Sequence, residues 1–129
     1  MPLFDHFNLL APLYDKVIAY KEPVKIIELG GFPVKGIVLD AGGGTGRISQ
    51  ALVGQAAELI VLDLSIGMLQ KAIQKESLRP VCSHTEALPF PDDSFDAVVM
   101  VDALHHVTSQ QRTARELFRV LRPGGRLVI

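Results

Sequence analysis

The residues best suited to chemistry lie in the segment Val38–Ser49, which reads VLDAGGGTGRIS. Asp40 ends a short apolar run in this segment. Four glycines follow within five positions, namely Gly42, Gly43, Gly44 and Gly46. Glycines between a strand and a helix allow positive φ angles and let a ligand lie against bare backbone at the start of the helix. A tight turn alone needs fewer glycines, so the segment predicts a ligand-binding turn.

Two classes of cofactor use such a turn, and the spacing of the glycines separates them. A dinucleotide turn, G-x-G-x-x-G, requires a glycine where Arg47 stands. Here Asp40 is followed by glycines at alternate positions, namely Gly42, Gly44 and Gly46. A carboxylate repels a pyrophosphate but attracts the ammonium and sulfonium groups of S-adenosylmethionine. The pattern therefore favours S-adenosylmethionine, with a nucleotide-cofactor oxidoreductase as the alternative.

A second acid, Asp63, ends the next apolar run, about 20 residues after the first glycine. In both classes of cofactor site, an acid at this position accepts hydrogen bonds from ribose hydroxyls. Ser65 follows closely, so a loop or helix-capping carboxylate is the alternative interpretation. The position at a strand end favours the ribose contact.

The elements that must position these residues alternate along the chain. Strands are predicted at residues 36–40, 58–63, 79–83 and 95–101, and a fifth begins at Arg126. Two of the helices between them have apolar faces predicted from Ile66, Leu69 and Ile73, and from Ala114, Leu117, Phe118 and Leu121. Continuous apolar strands alternating with helices predict an α/β fold, with a mostly parallel sheet covered on both faces.

Local signals predict where several helices begin and end. Ser65 has the position of a helix cap, and Thr108 and Gln111 have the spacing of a capping box. Pro123–Gly125 predicts the end of the helix that Thr108 begins. Before the first strand, Val24–Leu29 predicts a short helix, with a strand as the alternative.

The composition limits the classes of function. The 129 residues fit one domain, and 48% hydrophobic with 21% charged residues indicates a packed core. A net charge of -1 argues against a nucleic-acid or membrane-surface role. The chain has a single cysteine, Cys82, which cannot form an internal disulfide, and this predicts a reducing cytoplasm. Cys82 lies in an apolar stretch, which predicts a core residue. Neither a signal peptide nor an apolar run of ~18 residues is apparent, and the four histidines do not predict a metal site.

Several stretches together resemble class I S-adenosylmethionine-dependent methyltransferases. They are Val38–Ser49, Leu59–Leu69, Glu86–Val101 and Arg119–Ile129. The segments EALPFPDDSFDAVVMVDALHHV and RVLRPGGRLVI are similar to the group that includes the ubiquinone/menaquinone biosynthesis C-methyltransferases. The resemblance implies a three-layer Rossmann-like fold with strand order 3-2-1-4-5. It also implies an N-terminal helical lid region at residues 1–35 and a cofactor-binding core at residues 36–129.

The resemblance further implies a site for S-adenosylmethionine. Asp40 and the glycine backbone would hold its methionine part, and Asp63 its ribose. Leu64 and Met68 would lie near the adenine, with the loop His84-Thr85-Glu86 over the adenine edge. His84 replaces the usual acid there, so it either accepts one hydrogen bond from the adenine or is an exposed loop residue. The cofactor set predicted in this way is Tyr14, Asp40, Ala41, Gly42, Gly43, Gly44, Gly46, Asp63, Leu64, Met68, His84, Thr85, Glu86 and Asp102.

The implied chemistry is in-line attack by an atom of a small-molecule acceptor on the activated methyl group, which leaves S-adenosylhomocysteine. His105 and His106 are candidates for a general base, with loop or packing roles as the alternative. A binding module without catalysis is the alternative function from another class. The sequence does not distinguish carbon, oxygen and nitrogen as the atom methylated.

The end of the chain carries a separate expectation. The family's sheet normally continues beyond the fifth strand, so the resemblance predicts a truncated or naturally short chain that lacks the C-terminal strands. The fifth strand, with Leu127, Val128 and Ile129, would then be an exposed apolar edge. We therefore expect a homo-oligomer joined through this edge, and little methyl transfer by these 129 residues alone.

Overall fold

Strands and helices alternate through the described part of this computed structural model, which comprises residues 23–101 and 107–129. In chain order the elements are helix α1 (Pro23–Leu29), strand β1 (Ile37–Ala41), α2 (Arg47–Ala51), β2 (Glu58–Asp63), α3 (Ile66–Ala72), β3 (Leu78–Cys82), β4 (Phe95–Val99), α4 (Gln110–Val120) and β5 (Leu121–Val128). The predicted N-terminal lid at residues 1–35 falls largely outside these ranges and stays a prediction.

The five strands form one sheet in the order β3-β2-β1-β4-β5, and each of its four strand pairs is parallel. This order and the α/β class confirm the fold predicted from the sequence. The strand order reverses between β1 and β4, where open parallel sheets bind ligands at their carboxyl ends. Asp40 pairs in register with Val61, and Asp63 pairs with Cys82, so the predicted site residues lie at that edge of the sheet.

Helices cover both faces of the sheet, because alternate strand residues point to opposite sides. One face packs against the first three helices, whose buried residues include Ile26, Ile48 and Leu69. The other face packs against α4 through Leu117 and Val120. The three-layer arrangement is therefore present in the described chain.

The buried face of α3 differs from the predicted one. Leu69 is buried as expected, but Ile66 and Ile73 are 60% and 65% exposed. Ser65 caps this helix by accepting a hydrogen bond from the Met68 amide at 3.2 Å. The cap was predicted correctly. The buried face of this helix is formed by Met68, Leu69 and Ala72.

The buried face and both ends of α4 also differ from the prediction. Its buried residues are Thr113, Leu117 and Val120, whereas Phe118 is 64% exposed. The N-cap is Ser109, one residue after the predicted Thr108, because the Ser109 hydroxyl accepts a hydrogen bond from the Arg112 amide at 3.2 Å.

The helix α4 ends at Val120, before the Pro-Gly-Gly sequence that was expected to end it. Leu121 is already extended and pairs with Phe95 in β4. The next pair in register is Ala97 with Arg126, so Pro123–Gly125 forms an irregularity inside β5.

Two further expectations concern α1 and Cys82. The helix alternative for Val24–Leu29 is correct, since α1 spans Pro23–Leu29. The prediction of Cys82 as a core residue is wrong, because its side chain is exposed. Cys82 is the last residue of β3, which is an edge strand among the described strands, so less of the molecule covers it.

Candidate cofactor site

The turn after β1 requires glycine at alternate positions. Gly42, Gly44 and Gly46 have φ angles of 68°, 60° and 79°, a region that residues with a Cβ rarely adopt. The Gly43 amide donates to the Leu62 carbonyl at 3.1 Å, which fastens the turn to β2. The predicted alternation of glycines therefore reflects the backbone conformation of this turn.

The glycines of the turn serve two purposes. A Cβ on Gly43 would lie 2.6 Å from Asp40 Cγ, and one on Gly46 would lie 2.6 Å from Leu78 Cδ1. These two glycines let the turn pack closely on the sheet. Around Gly44 the nearest atoms of the described chain are Met68 Sδ at 3.6 Å and Asp63 Oδ2 at 3.9 Å, which are ordinary contacts. A side chain at Gly44 would therefore lie beside the two residues predicted to contact ribose and adenine.

Asp63 joins this turn to the start of α3. Its Oδ2 accepts a hydrogen bond from the Gly44 amide at 3.0 Å, and its Oδ1 accepts one from the Ser65 amide at 2.8 Å. A carboxylate offers about four acceptor positions, so these two bonds are compatible with further bonds from ribose hydroxyls. The loop role and the ribose role of Asp63 do not exclude one another.

Asp40 lies beneath the turn and is 1% exposed. Its Oδ2 accepts a hydrogen bond from Ser49 Oγ at 2.7 Å. Burial raises the pKa of Asp40 to about 6, although the Ser49 hydrogen bond and the positive charge of Arg47 lower it, and the negative charge of Asp63 raises it further. The predicted contact between Asp40 and the methionine part of a cofactor stays a prediction, and from this position the carboxylate supports the turn.

Two groups that support the turn were missed by the sequence analysis. Ser49, in α2, holds Asp40, and Lys75 Nζ donates a hydrogen bond to the Thr45 carbonyl at 2.7 Å. Lys75 lies 30 positions from Thr45 in the chain, and no local sequence pattern indicates that they meet. Both contacts fix the backbone against which a ligand would lie.

The side of the site predicted to hold adenine is formed at the ends of β2 and β3. Met68 is buried and borders Gly44, and Leu64 is half-buried. The Ser83 amide donates to the Asp63 carbonyl at 3.1 Å, which brings the loop after β3 beside Asp63. The side chain of His84, the next residue, is exposed. Solvent reaches this end of the sheet at the half-buried residues Gly42, Gly43, Asp63 and Leu64.

The polar groups of Thr85 and Glu86 are directed to α4 and not to the glycine turn. Thr85 Oγ1 lies 3.0 Å from Thr113 Oγ1, and both residues are buried. Glu86 Oε1 accepts a hydrogen bond from the Ser109 amide at 2.6 Å. The structure therefore does not bring these two side chains together with Asp63.

Four of the predicted site residues, namely Tyr14, Asp102, His105 and His106, lie outside the described residues. Ala41 is the last residue of β1 and is fully buried.

Within residues 23–101 and 107–129, no group of three or more His, Cys, Asp or Glu residues is arranged to hold a metal ion. In the same part of the chain, no helix is long and apolar enough to cross a membrane.

The wider comparison with protein families agrees with this geometry. Residues 39–129, which are most of the chain, match the Methyltransf_11 family, described as a methyltransferase domain. The chain belongs to this methyltransferase domain family. The family resemblance predicted from the sequence is therefore confirmed.

Individual proteins similar to this methyltransferase domain extend the comparison. The ubiquinone/menaquinone biosynthesis C-methyltransferase UbiE of Pectobacterium atrosepticum is 36% identical over 113 residues, which cover 80% of this chain and 45% of UbiE. The crystal structure of the Bacillus subtilis YcgJ protein has a TM-score of 0.78 at 31% identity, covering 82% of this chain and 48% of YcgJ.

A third similar protein, from Haloferax volcanii, is known in complex with the Trm112 methyltransferase activator. It has a TM-score of 0.79 at 29% identity, covering 92% of this chain and 57% of that protein. The methyltransferase domain therefore spans about half the length of these relatives.

Proposed function

We propose that this domain binds S-adenosylmethionine at the carboxyl ends of β1 and β2 and takes part in methyl transfer to a small-molecule acceptor. The observation that carries the proposal is the hydrogen bond from the Gly44 amide to Asp63 Oδ2. It brings a glycine that faces Met68 together with the acid predicted to bind ribose. The family and the fold support the same cofactor.

The arrangement suits each part of S-adenosylmethionine. The backbone of Gly42–Gly46 offers a turn without side chains for the methionine part, and Asp63 offers carboxylate oxygens to the ribose. Leu64 and Met68 supply apolar surface for the adenine. The carboxylates of Asp40 and Asp63 lie at this end of the sheet, and carboxylates favour a cationic ligand over a pyrophosphate.

The cofactor, when bound, supplies an activated methyl group with a good leaving group, so the protein mainly has to position the acceptor and exclude water. Three expectations from the family resemblance belong to this proposal: Tyr14 as part of a lid, Asp102 as a cofactor-site residue that lines the passage to the acceptor, and His105 or His106 as a base. The chemical class of the acceptor is a small molecule, as for the UbiE relatives named for quinone biosynthesis.

The proposal includes the class of acceptor and the cellular location. The net charge of -1 supports a small-molecule acceptor over a nucleic acid, and a single cysteine supports a cytoplasmic location.

For the 129-residue chain we also propose self-association along β5, which pairs with β4 alone among the described strands and whose neighbour Ile129 is 62% exposed. Light scattering during size-exclusion chromatography would contradict this if it gave the monomer mass at high concentration.

Calorimetric titration tests the choice of cofactor. We expect S-adenosylmethionine and S-adenosylhomocysteine to bind in the micromolar range, at about -8 kcal/mol, because both present the same ribose and adenine to Asp63 and Met68. A nicotinamide dinucleotide serves as the competing ligand. Saturable binding of the dinucleotide, with no heat from either sulfur compound, would replace the methyltransferase assignment with an oxidoreductase. Binding of the cofactor with no methyl transfer to any candidate acceptor would favour the binding module.

A further inference from the structure

The loop between β3 and β4 lies lengthwise along α4 and is hydrogen-bonded to it at successive turns. Thr85 contacts Thr113 near the start of the helix. The Leu88 amide donates to Glu116 Oε1 at 2.8 Å in the middle. Arg119 Nη1 donates to the Phe90 carbonyl at 2.9 Å near the end. Since these contacts follow the order of both segments, the loop and the helix form one unit.

A further contact of the same loop, made by Glu86, completes the cap of α4. In a capping box, the third residue of the helix accepts a hydrogen bond from the amide of the N-cap residue. Here the third residue is Arg112, whose side chain has no acceptor. Glu86 Oε1 instead accepts the bond from the Ser109 amide, at 2.6 Å and from 23 positions earlier in the chain. A carboxylate also interacts favourably with the positive end of the helix dipole.

The other end of the same short segment is attached to the candidate site. The Ser83 amide donates to the Asp63 carbonyl, so residues 83–86 extend from Asp63 to the N-cap of α4. His84 lies between these two attachments, with its side chain exposed. Removing the attachment at Glu86 would leave only the contacts of Thr85 and Leu88 between this part of the loop and α4, and would therefore loosen the segment on that side.

We propose that Glu86 is a positioning residue, which caps α4 from outside the helix and thereby fixes residues 83–86 beside Asp63. The segment fixed in this way would contact the nucleoside part of the cofactor, so in this respect the inference rests on the proposed function. Glu86 itself does not touch the reacting atoms in this arrangement. Glu86 would affect binding indirectly, by fixing the position of the backbone around His84.

A purely structural role for Glu86 makes a different prediction, and Arg112 allows the two to be separated. Arg112→Glu gives α4 a capping box of its own, S-x-x-E, and Arg112 is exposed. In a Glu86→Ala background, this second change restores a carboxylate to the helix end without restoring the bond between the loop and Ser109. A helix cap alone would be rescued by it, whereas the positioning of residues 83–86 would not.

The experiment compares the wild type, Glu86→Ala, Glu86→Ala/Arg112→Glu and the control Arg112→Glu. Hydrogen exchange of the amides of residues 84–88 and 109–113 is measured without ligand, together with the unfolding midpoint in urea. We expect Glu86→Ala to speed exchange in both segments by about tenfold, as for loss of a hydrogen bond to a charged group. The double variant should recover slow exchange in α4 only, and should bind S-adenosylhomocysteine as weakly as Glu86→Ala.

Recovery of slow exchange in both segments of the double variant, or unchanged loop exchange in Glu86→Ala, would overturn the proposal. Both readings are made without ligand, so they stand apart from the proposed function. That function fails separately if the wild type binds neither S-adenosylmethionine nor S-adenosylhomocysteine. Should Glu86→Ala not fold, Glu86→Gln keeps an acceptor for the Ser109 amide but removes the charge, and the same exchange measurement applies with an intermediate effect expected.

Discussion

The amide of Gly44 donates a 3.0 Å hydrogen bond to Oδ2 of Asp63, which ties the turn after β1 to the carboxyl end of β2. The two residues are 19 positions apart, and the parallel pairing of Asp40 with Val61 places their strand ends side by side. The bond orients the carboxylate that would receive a ribose. It also means that any change at Asp63 alters both the ligand contact and the turn.

The first prediction concerns this carboxylate. Asp63→Ala should weaken binding of S-adenosylhomocysteine by roughly 1.5–3 kcal/mol, the range for hydrogen bonds to a charged group. The fold should persist with a lower urea midpoint, because the amides of Gly44 and Ser65 lose an acceptor. Asp63→Asn is the control, since it keeps one acceptor oxygen and should lie between the two. Unchanged affinity in a folded Asp63→Ala protein would mean that the residue is only a loop carboxylate.

The second prediction separates strain from ligand contact at Gly44. Gly44→Ala should cost about 1–2 kcal/mol of stability, because φ is +60°. It should also weaken S-adenosylhomocysteine binding, because the new methyl group would lie beside Met68 and Asp63, the residues predicted to contact the adenine and the ribose. Gly54→Ala is a matched control: its φ is +87°, no described atom lies within 4 Å of the added Cβ, and it lies outside the site.

Calorimetry and urea denaturation of these two glycine variants check the prediction together. Both should lose similar stability, and only Gly44→Ala should lose affinity. Equal affinities in the two variants would show that the ligand does not lie against this turn.

Local signals in the sequence predicted the structure most accurately. The glycine spacing, the strand end at Asp63 and the cap at Ser65 all depend on residues within one turn or strand, whereas β1 ends at Ala41, one residue after the predicted Asp40. The sheet order followed from the family resemblance. The buried face of α3 was predicted wrongly for a local reason. Ile66 and Ile73 lie at helical spacing with Leu69, but this periodicity does not indicate which apolar residues contact the sheet.

The rest could not be predicted because it depends on contacts between distant segments. Thr85 and Glu86 carry the polar groups expected around a cofactor, but their partners Thr113 and Ser109 lie 28 and 23 positions away. The support of the turn by Lys75 has the same origin. Such pairings depend on how loops and helices pack against one another, which no short sequence pattern predicts.

The third prediction tests the contact from Lys75 Nζ to the Thr45 carbonyl. Lys75→Met should loosen the glycine turn and cost about 1 kcal/mol of stability, the net value of one hydrogen bond. Affinity for S-adenosylhomocysteine should fall about fivefold, the factor that corresponds to about 1 kcal/mol. Lys71→Met removes an equal charge from α3 and serves as the control. Equal effects of the two changes would assign the loss to charge, and the contact with Thr45 would have no part in it.

The fourth prediction follows from the buried carboxylate of Asp40, whose pKa is raised from 3.8 to about 6 mainly by burial. Between these values the folded protein holds a proton that the unfolded chain has released, so stability falls as pH rises through this window. Above a pH of about 6 both states are ionised and the loss is complete. At 1.36 kcal/mol for each pKa unit, the loss amounts to about 3 kcal/mol.

Asp40→Asn cannot ionise, and the amide keeps an oxygen that can accept the hydrogen bond from Ser49. The free energy of unfolding of Asp40→Asn, relative to that of the wild type, should therefore rise by up to about 3 kcal/mol between pH 4 and pH 7. Urea denaturation of both proteins across this range measures the difference, and most other titrating groups cancel because they are common to the two proteins. A difference that stays constant with pH would show that the Asp40 carboxyl ionises in the fold as it does in the unfolded chain.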